Sequence, residues 1–313
     1  AHGRGDHDPS GAGGGPTPVE VSRSFAETRD SYRGRVGLLP TLGFFHEGHL
    51  LLMEMLRERC DTLVVSLFVN PTQFNQPEDF QAYPRDEDRD ASLAAEHGVD
   101  ILFAPPESEV YPGESVTTVE VIGVTDEMEG RHRPGHFVGV ATVVAKLFAG
   151  LQPDLSMFGR KDDQQVAVLP ALVRDLRFPL QIVEAPVIRE PDGLALSSRN
   201  VRLSKKDRYG ALAISRGLFQ AAEQVDAGER RGDRLESTVA RSMKGLEVDY
   251  VKLASQRTMK PIETLDQPAV LAVAAHVGAV RLIDNVAFDI VDDRPVPDRG
   301  ILLDEPSELT AMP

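Results

Sequence analysis

Two histidines, His46 and His49, stand three residues apart in Pro40–Leu50, PTLGFFHEGHL, with Gly43 and Gly48 close by and an apolar run ahead of them. Imidazoles can ligate a metal, carry a proton or donate hydrogen bonds to an anion. A zinc protease helix carries His-Glu-x-x-His, with its ligands four apart. Here the spacing is three, and the chain's single cysteine, Cys60, rules out a multi-cysteine zinc site. The plainer alternative is a pair of histidines satisfying hydrogen bonds in a loop and at a helix end. A third reading fits the neighbours: a strand ends at Leu39, a tight Pro-Thr-Leu-Gly turn follows, and a helix begins near Gly48. Strand ends of a parallel sheet are where ligands bind, and a helix start offers free N–H groups and a positive dipole. Gly43 and Gly48 would let a nucleotide approach backbone that a Cβ would block. His46 and His49, on one helical face, can both donate to the same phosphate chain.

Such a site needs a sheet to hold it. Between Arg35 and Ile188, β-rich runs (RVGLLP, Thr62–Val69, DILFAP, LSMFG, LQIVEAPVI) alternate with helical patterns. The helices are expected over 48–60, 86–97, 137–150 and 162–177, with Pro170 kinking or shortening the last. That alternation predicts an α/β fold with a doubly wound, Rossmann-like parallel sheet over 19–188. After REPDGLALSSRN the texture changes. Helices over 205–226 and 231–244 precede three strands, VDYVKLAS, AVLAVAAHVG and VRLIDNVAFDI, which predict a smaller C-terminal α+β domain with an antiparallel sheet over 189–290. Residues 1–18 read as a flexible tail and 291–313 as a loose, acidic, proline-bearing one.

Bulk properties narrow the function. A chain of 313 residues, 41% hydrophobic and 27% charged, has the composition of a globular protein with room for two domains. No apolar run approaches the ~18–20 residues that span a bilayer, and the N-terminus lacks the apolar centre of a secretory signal; no membrane association and a cytoplasmic location are expected. The net charge of −15 argues against nucleic acid. It also requires a local positive site to draw in any anionic substrate. Lys161 and Arg199 are candidates, and Ser197 and Ser198 can donate hydroxyls to phosphate oxygens.

His46-Glu47-Gly48-His49 matches the HxGH signature of adenylyl-transferring enzymes. With FVNPTQF (68–74), YPRD (83–86), RPGHFVGVATVVAKLF (133–148), GRKDDQQ (159–165), DGLALSSRN (192–200) and RLIDN, the chain resembles the pantothenate synthetase family from about Arg35 to Asn285. The resemblance implies a homodimeric ligase that joins pantoate to β-alanine using ATP through pantoyl-adenylate, with Mg2+ at the nucleotide. It places nucleotide contacts on Leu42, Gly43, Phe44, Phe45, His46, Glu47, Gly48 and His49, on Gly159, Arg160, Lys161 and Asp162, on Ile188 (through its backbone), and on Leu196, Ser197, Ser198 and Arg199. His49 matches the histidine usually assigned as proton donor, with His46, Lys161 and Arg199 as its catalytic companions. Gln73 and Gln165 match the pantoate-binding glutamines, and Asn70 fixes the loop that presents Gln73. His136 either orients the pantoate region or is structural. Tyr83 either walls the site or packs beside Pro84. Asp90 is the expected Mg2+ ligand, although DEDRD also suits a charged helix start.

The chain departs from the family pattern at Leu42, Phe44-Phe45, Arg160, Asp163 and Pro170. The aromatic pair would narrow the nucleotide mouth, Arg160 would replace a glutamate, and Asp163 would put a charge where an aromatic usually stands. An adenylyltransferase for another acceptor and a non-catalytic nucleotide-binding protein are the alternatives these departures keep open.

Overall fold

The computed structural model describes residues 18–310. The expected flexible N-terminal tail therefore falls, apart from Pro18, outside the described residues. Six strands, β1 (Glu20–Ser22), β2 (Val36–Thr41), β3 (Thr62–Leu67), β4 (Ile101–Phe103), β5 (Leu155–Gly159) and β6 (Gln181–Ala185), form one sheet in the order β1-β4-β3-β2-β5-β6. Every pairing in it is parallel. The connecting helices are α1 (Phe25–Asp30), α2 (Glu47–Arg57), α3 (Pro77–Gln81), α4 (Glu87–Glu96), α5 (Glu107–Val110), α6 (Glu129–His132), α7 (His136–Leu151) and α8 (Asp163–Asp175).

Side chains alternate across a strand, so neighbouring residues feed different cores. Leu38 and Val64 pack with Val144, Phe148 and Leu169 of α7 and α8. Leu39, Leu63 and Val65 pack with Met53 and Leu56 of α2 on the other face. This two-sided burial explains the continuous apolar run at β3, where a half-exposed strand would alternate with polar residues. The order of strands reverses at β2: the chain first builds outward through β3 and then returns to add β5 on the opposite side. The crevice above the carboxyl ends of β2 and β5 is the place such a sheet offers a ligand.

Beyond the sheet come β7 (Ile188–Arg189), α9 (Lys205–Asp226), α10 (Gly232–Ser242), β8 (Glu247–Ser255), β9 (Ala269–Val277), β10 (Val280–Val291), β11 (Arg294–Asp298) and β12 (Ile301–Leu302). β8–β11 form an antiparallel sheet in the order β11-β10-β9-β8. Its apolar face closes on α9 and α10 through Leu253, Leu271, Val273, Leu218 and Leu235. Ser204 caps α9 by accepting the Asp207 N–H.

Two expectations bear on Pro170 and on the C-terminal tail, and the second fails. Pro170 sits inside α8 without ending it. Its own position is exposed, while Val166, whose carbonyl the missing N–H leaves free, is buried. The segment after Asp292 is not loose: β11 adds to β10, and β12 pairs in parallel with β7.

Candidate active site

A cavity opens at the reversal point between β2 and β5, and the sequence motifs meet there. Leu42, His46, Gly48 and His49 line it from the end of β2 and the start of α2. Gly159, Lys161 and Asp162 line it from the turn after β5, Ile188 from β7, and Leu196, Ser197, Ser198 and Arg199 from the loop that follows. Asn70, Gln73, Tyr83, His136 and Gln165 complete the wall.

The two imidazoles stack with ring centroids 4.0 Å apart. The His46 backbone N–H donates to His49 Nδ1 at 3.3 Å, which assigns the proton of a neutral His49 to Nε2. His49 therefore offers an N–H donor to an anion. Burial pushes its pKa down to about 4, with the nearby Lys161 charge adding to the effect. His46 is driven well below its ordinary value by burial first and then by His49 and Lys161. Both are neutral donors at pH 7 in the free protein. His46 Nδ1 is buried with no partner among the described residues, a group that water or a ligand would satisfy. Gly48, which lines the cavity, is also needed for packing. A Cβ there would lie 2.9 Å from His46 Nδ1, so the glycine makes room for the neighbouring ring.

The turn after β3 presents Gln73. Asn70 is 1% exposed, and its amide donates to Gln73 Oε1 at 3.0 Å and to the Gly139 carbonyl at 3.2 Å. Occupying Oε1 leaves the Gln73 NH2 as the free end, suited to a carboxylate or hydroxyl oxygen. Gly139 lets this turn sit on α7, because a Cβ would meet the Thr72 carbonyl at 2.4 Å. His136 Nδ1 donates to the Gln73 carbonyl at 2.8 Å, and its Nε2 lies 3.2 Å from the Arg133 guanidinium. With both nitrogens engaged, His136 is a strut for the Gln73 turn. Burial, and then Arg133, lowers its pKa to about 4.

The cationic loops are likewise held from behind. Arg199 donates to Asp79 of α3 at 2.9 Å, and Tyr83 OH lies 3.2 Å from the Ser198 hydroxyl. Tyr83 thus braces the serine loop as well as walling the cavity. Asn285 donates through Nδ2 to the carbonyls of Arg160 (2.8 Å) and Lys161 (3.0 Å), fixing the turn that carries Lys161. Fully buried Arg189 bonds to Asp284 at 2.7 Å and to the Asn285 carbonyl at 2.8 Å. Burial works to raise the Asp162 carboxyl, but Lys161, Arg199 and Arg133 outweigh it and hold it below the usual carboxylate value.

Several expected site residues do not line this cavity. Asp90 is 1% exposed, and its carboxylate accepts the N–H groups of Phe44 (2.5 Å) and Phe45 (2.7 Å). It holds the glycine turn and does not reach the cavity, so it is no ligand for Mg2+ there. Gly43 contributes the left-handed φ of +84° that the turn requires, not an open wall. Phe44 lies under the Arg89 guanidinium and Phe45 is fully buried, so neither narrows the mouth. Glu47 turns its carboxylate to Ser307 and Leu309. Arg160 points away to Glu184 at 3.0 Å. Ile188 does line the cavity, and its carbonyl accepts the Leu196 N–H at 2.9 Å. Sequence reasoning did not single out Asp79 or Arg133, whose partners are remote in the chain. RLIDN was the one sequence signal for Asn285.

A parallel sheet that binds at its reversal point, with paired imidazoles at a helix start facing a lysine and an arginine, defines a nucleotide-binding enzyme of the α/β class. The family pattern "Pantoate-beta-alanine ligase" matches residues 17–287. Pantothenate synthetase of Syntrophus aciditrophicus is 47% identical over 273 residues, 86% of this chain and 96% of that one. Pantothenate synthetase 1 of Bradyrhizobium diazoefficiens is 47% identical over 272 residues, 86% of this chain and 96% of that one. The crystal structure of the Thermus thermophilus pantothenate synthetase superposes with a TM-score of 0.82 at 42% identity, covering 85% of this chain and 98% of that one. The Francisella tularensis pantoate–β-alanine ligase, complexed with β,γ-ATP and β-alanine, gives a TM-score of 0.71 at 32% identity, covering 85% of this chain and 97% of that one. The chain belongs to the pantoate–β-alanine ligase family.

Proposed function

We propose that this protein condenses pantoate with β-alanine at the expense of ATP. A pantoate carboxylate oxygen attacks the α-phosphorus, and pyrophosphate leaves. The β-alanine amine then attacks the acyl carbon of pantoyl-adenylate and loses a proton, and AMP leaves with the carboxylate oxygen. No protein nucleophile is required; alignment of two anions and neutralisation of the phosphates are. Lys161 and Arg199 supply the positive charge, the His49 Nε2–H and the Ser197 and Ser198 hydroxyls donate to phosphate oxygens, and Gln73 and Gln165 hold pantoate. The observation that carries this reading is that the histidine pair, both cations and both glutamines line one cavity.

Magnesium requires oxygen donors and keeps several waters, so one carboxylate with the ATP phosphates suffices. Among the described residues that line the cavity, Asp162 is the carboxylate, and its lowered pKa keeps it ionised. The donor set fits the ion at Asp162 and not at Asp90. Magnesium would neutralise phosphate charge. We extend the reading, on family resemblance, to a homodimer in the cytoplasm; among the described residues no helix is long and apolar enough to cross a membrane. The departures Arg160, Asp163 and Pro170 do not line the cavity, which removes the motive for a non-catalytic reading.

Incubation with pantoate, β-alanine and Mg-ATP should yield AMP and pantothenate in equal amounts. AMP formation that ignores pantoate would overturn the assignment.

A further inference from the structure

The family match ends at residue 287, yet the chain continues through β11 and β12 to contacts on the nucleotide cavity. Asp298, at the end of β11, ion-pairs with Arg160 at 3.9 Å, on the turn that carries Lys161. Arg189 Nε donates to the Arg299 carbonyl at 2.7 Å. Gly300, at φ +85°, passes so close to Val187 that a Cβ would lie 2.2 Å from its carbonyl. β12 then hydrogen-bonds β7 on both sides of Ile188, through Ile301 N to Val187 O and Leu303 N to Arg189 O, each at 2.8 Å. At the far end the Ser307 hydroxyl donates to Glu47, the first residue of α2, and the Leu309 N–H donates to the same carboxylate at 3.0 Å. The Ser307 N–H donates to Glu190 at 2.8 Å. Ser307 and Thr310 are buried, so these contacts are sheltered from competing water.

We propose that the segment following the family-matched region is a positioning strap for the nucleotide site. It anchors on the antiparallel sheet and ties together the Lys161 turn, Ile188 and the histidine-bearing start of α2. Each of these would otherwise lose freedom when ATP binds, and a site ordered beforehand avoids that cost. The strap also occupies the Glu47 carboxylate with two donors, keeping this negative charge off the helix start that receives the triphosphate. Arg160, which departs from the family pattern, is one of the residues the strap engages. Asp298 and Ser307 are positioning residues, since neither lines the cavity.

The inference rests on the ATP-dependent reading above, and two variants test it. One ends at Leu303, keeping β11 and β12 but losing the contacts on Glu47 and Glu190; the other is S307A in the full chain. The dissociation constant for ATP, from calorimetry without turnover, should rise about tenfold in the truncation and less in S307A. KM for ATP should follow, while kcat and KM for pantoate stay within about twofold. E47Q in the truncated chain should recover part of the lost affinity. A lower melting temperature with unchanged ATP affinity in both variants would make the segment a mere stabiliser and overturn the proposal. If the full chain binds ATP but forms no pantothenate, the functional reading fails and the strap stands.

Discussion

His136 offers a quantitative test, because its two nitrogens are both spent on structure. Its pKa falls from an ordinary 6.5 to about 4, so the unfolded chain binds a proton between those values and the folded chain resists it. Stability from this residue is therefore fully present above the unfolded value and is lost as pH falls toward the folded one. At about pH 5 the two values imply a loss of about 2 kcal/mol from this one side chain. The groups facing it are the Arg133 cation, which disfavours protonation, and the Glu129 and Asp162 carboxylates, which favour it. H136N keeps a donor near the Nδ1 position for the Gln73 carbonyl but cannot take up the proton. Urea unfolding of both proteins at about pH 7.5 and about pH 5 should show the parent losing about 2 kcal/mol more than H136N. His46 and His49 titrate in the same direction but remain in both chains, so they cancel in the difference. Equal losses in parent and variant would refute the claim that His136 is held as a neutral strut. H136N should also leave the ATP affinity intact while raising KM for pantoate if its amide fails to hold the Gln73 turn.

Three other outcomes follow from the site. H49A removes a preorganised donor at the phosphates, and kcat in steady-state assays should fall by about two to three orders of magnitude with little change in melting temperature. N285A abandons the Arg160 and Lys161 carbonyls and should destabilise the fold by about 1–3 kcal/mol in urea titrations, with a higher KM for ATP. Asp163 carries the opposite pH signature to His136: burial raises its carboxyl to about 7, so its contribution is present at low pH and lost as pH rises through that value. The loss begins above the ordinary carboxyl value of 3.8, so D163N should gain stability relative to the parent steadily as pH rises from about 4 to about 8, as read by thermal unfolding.

The sequence was most legible where physics is local. The apolar run at β3 and the long valine-rich α7 could be read because a sheet covered on both faces demands them. The histidines and the cationic serine loop could be read because few other patterns place such donors at a strand end and beside a helix. Asp90 could not be placed, since a carboxylate suits a metal and two backbone N–H groups equally well on paper, and only the fold of the glycine turn decides. The direction in which Arg160 and Glu47 point was hidden for a related reason. Glu184, the nearer partner of Arg160, sits on a separate strand, β6, and Asp298 and Ser307 lie more than a hundred residues away from the residues they engage. The strand nature of 294–298 was masked by its two prolines and its charges, which edge strands tolerate.

The central claim is that one cavity brings the pantoate carboxylate onto the α-phosphorus held between the histidine helix and the cationic loops. Its most direct test is a turnover with pantoate labelled with heavy oxygen in the carboxylate, followed by mass spectrometry of the products. The account predicts that the label appears in AMP and is absent from pyrophosphate. Label found in pyrophosphate or inorganic phosphate, or AMP formed without any label, would contradict it.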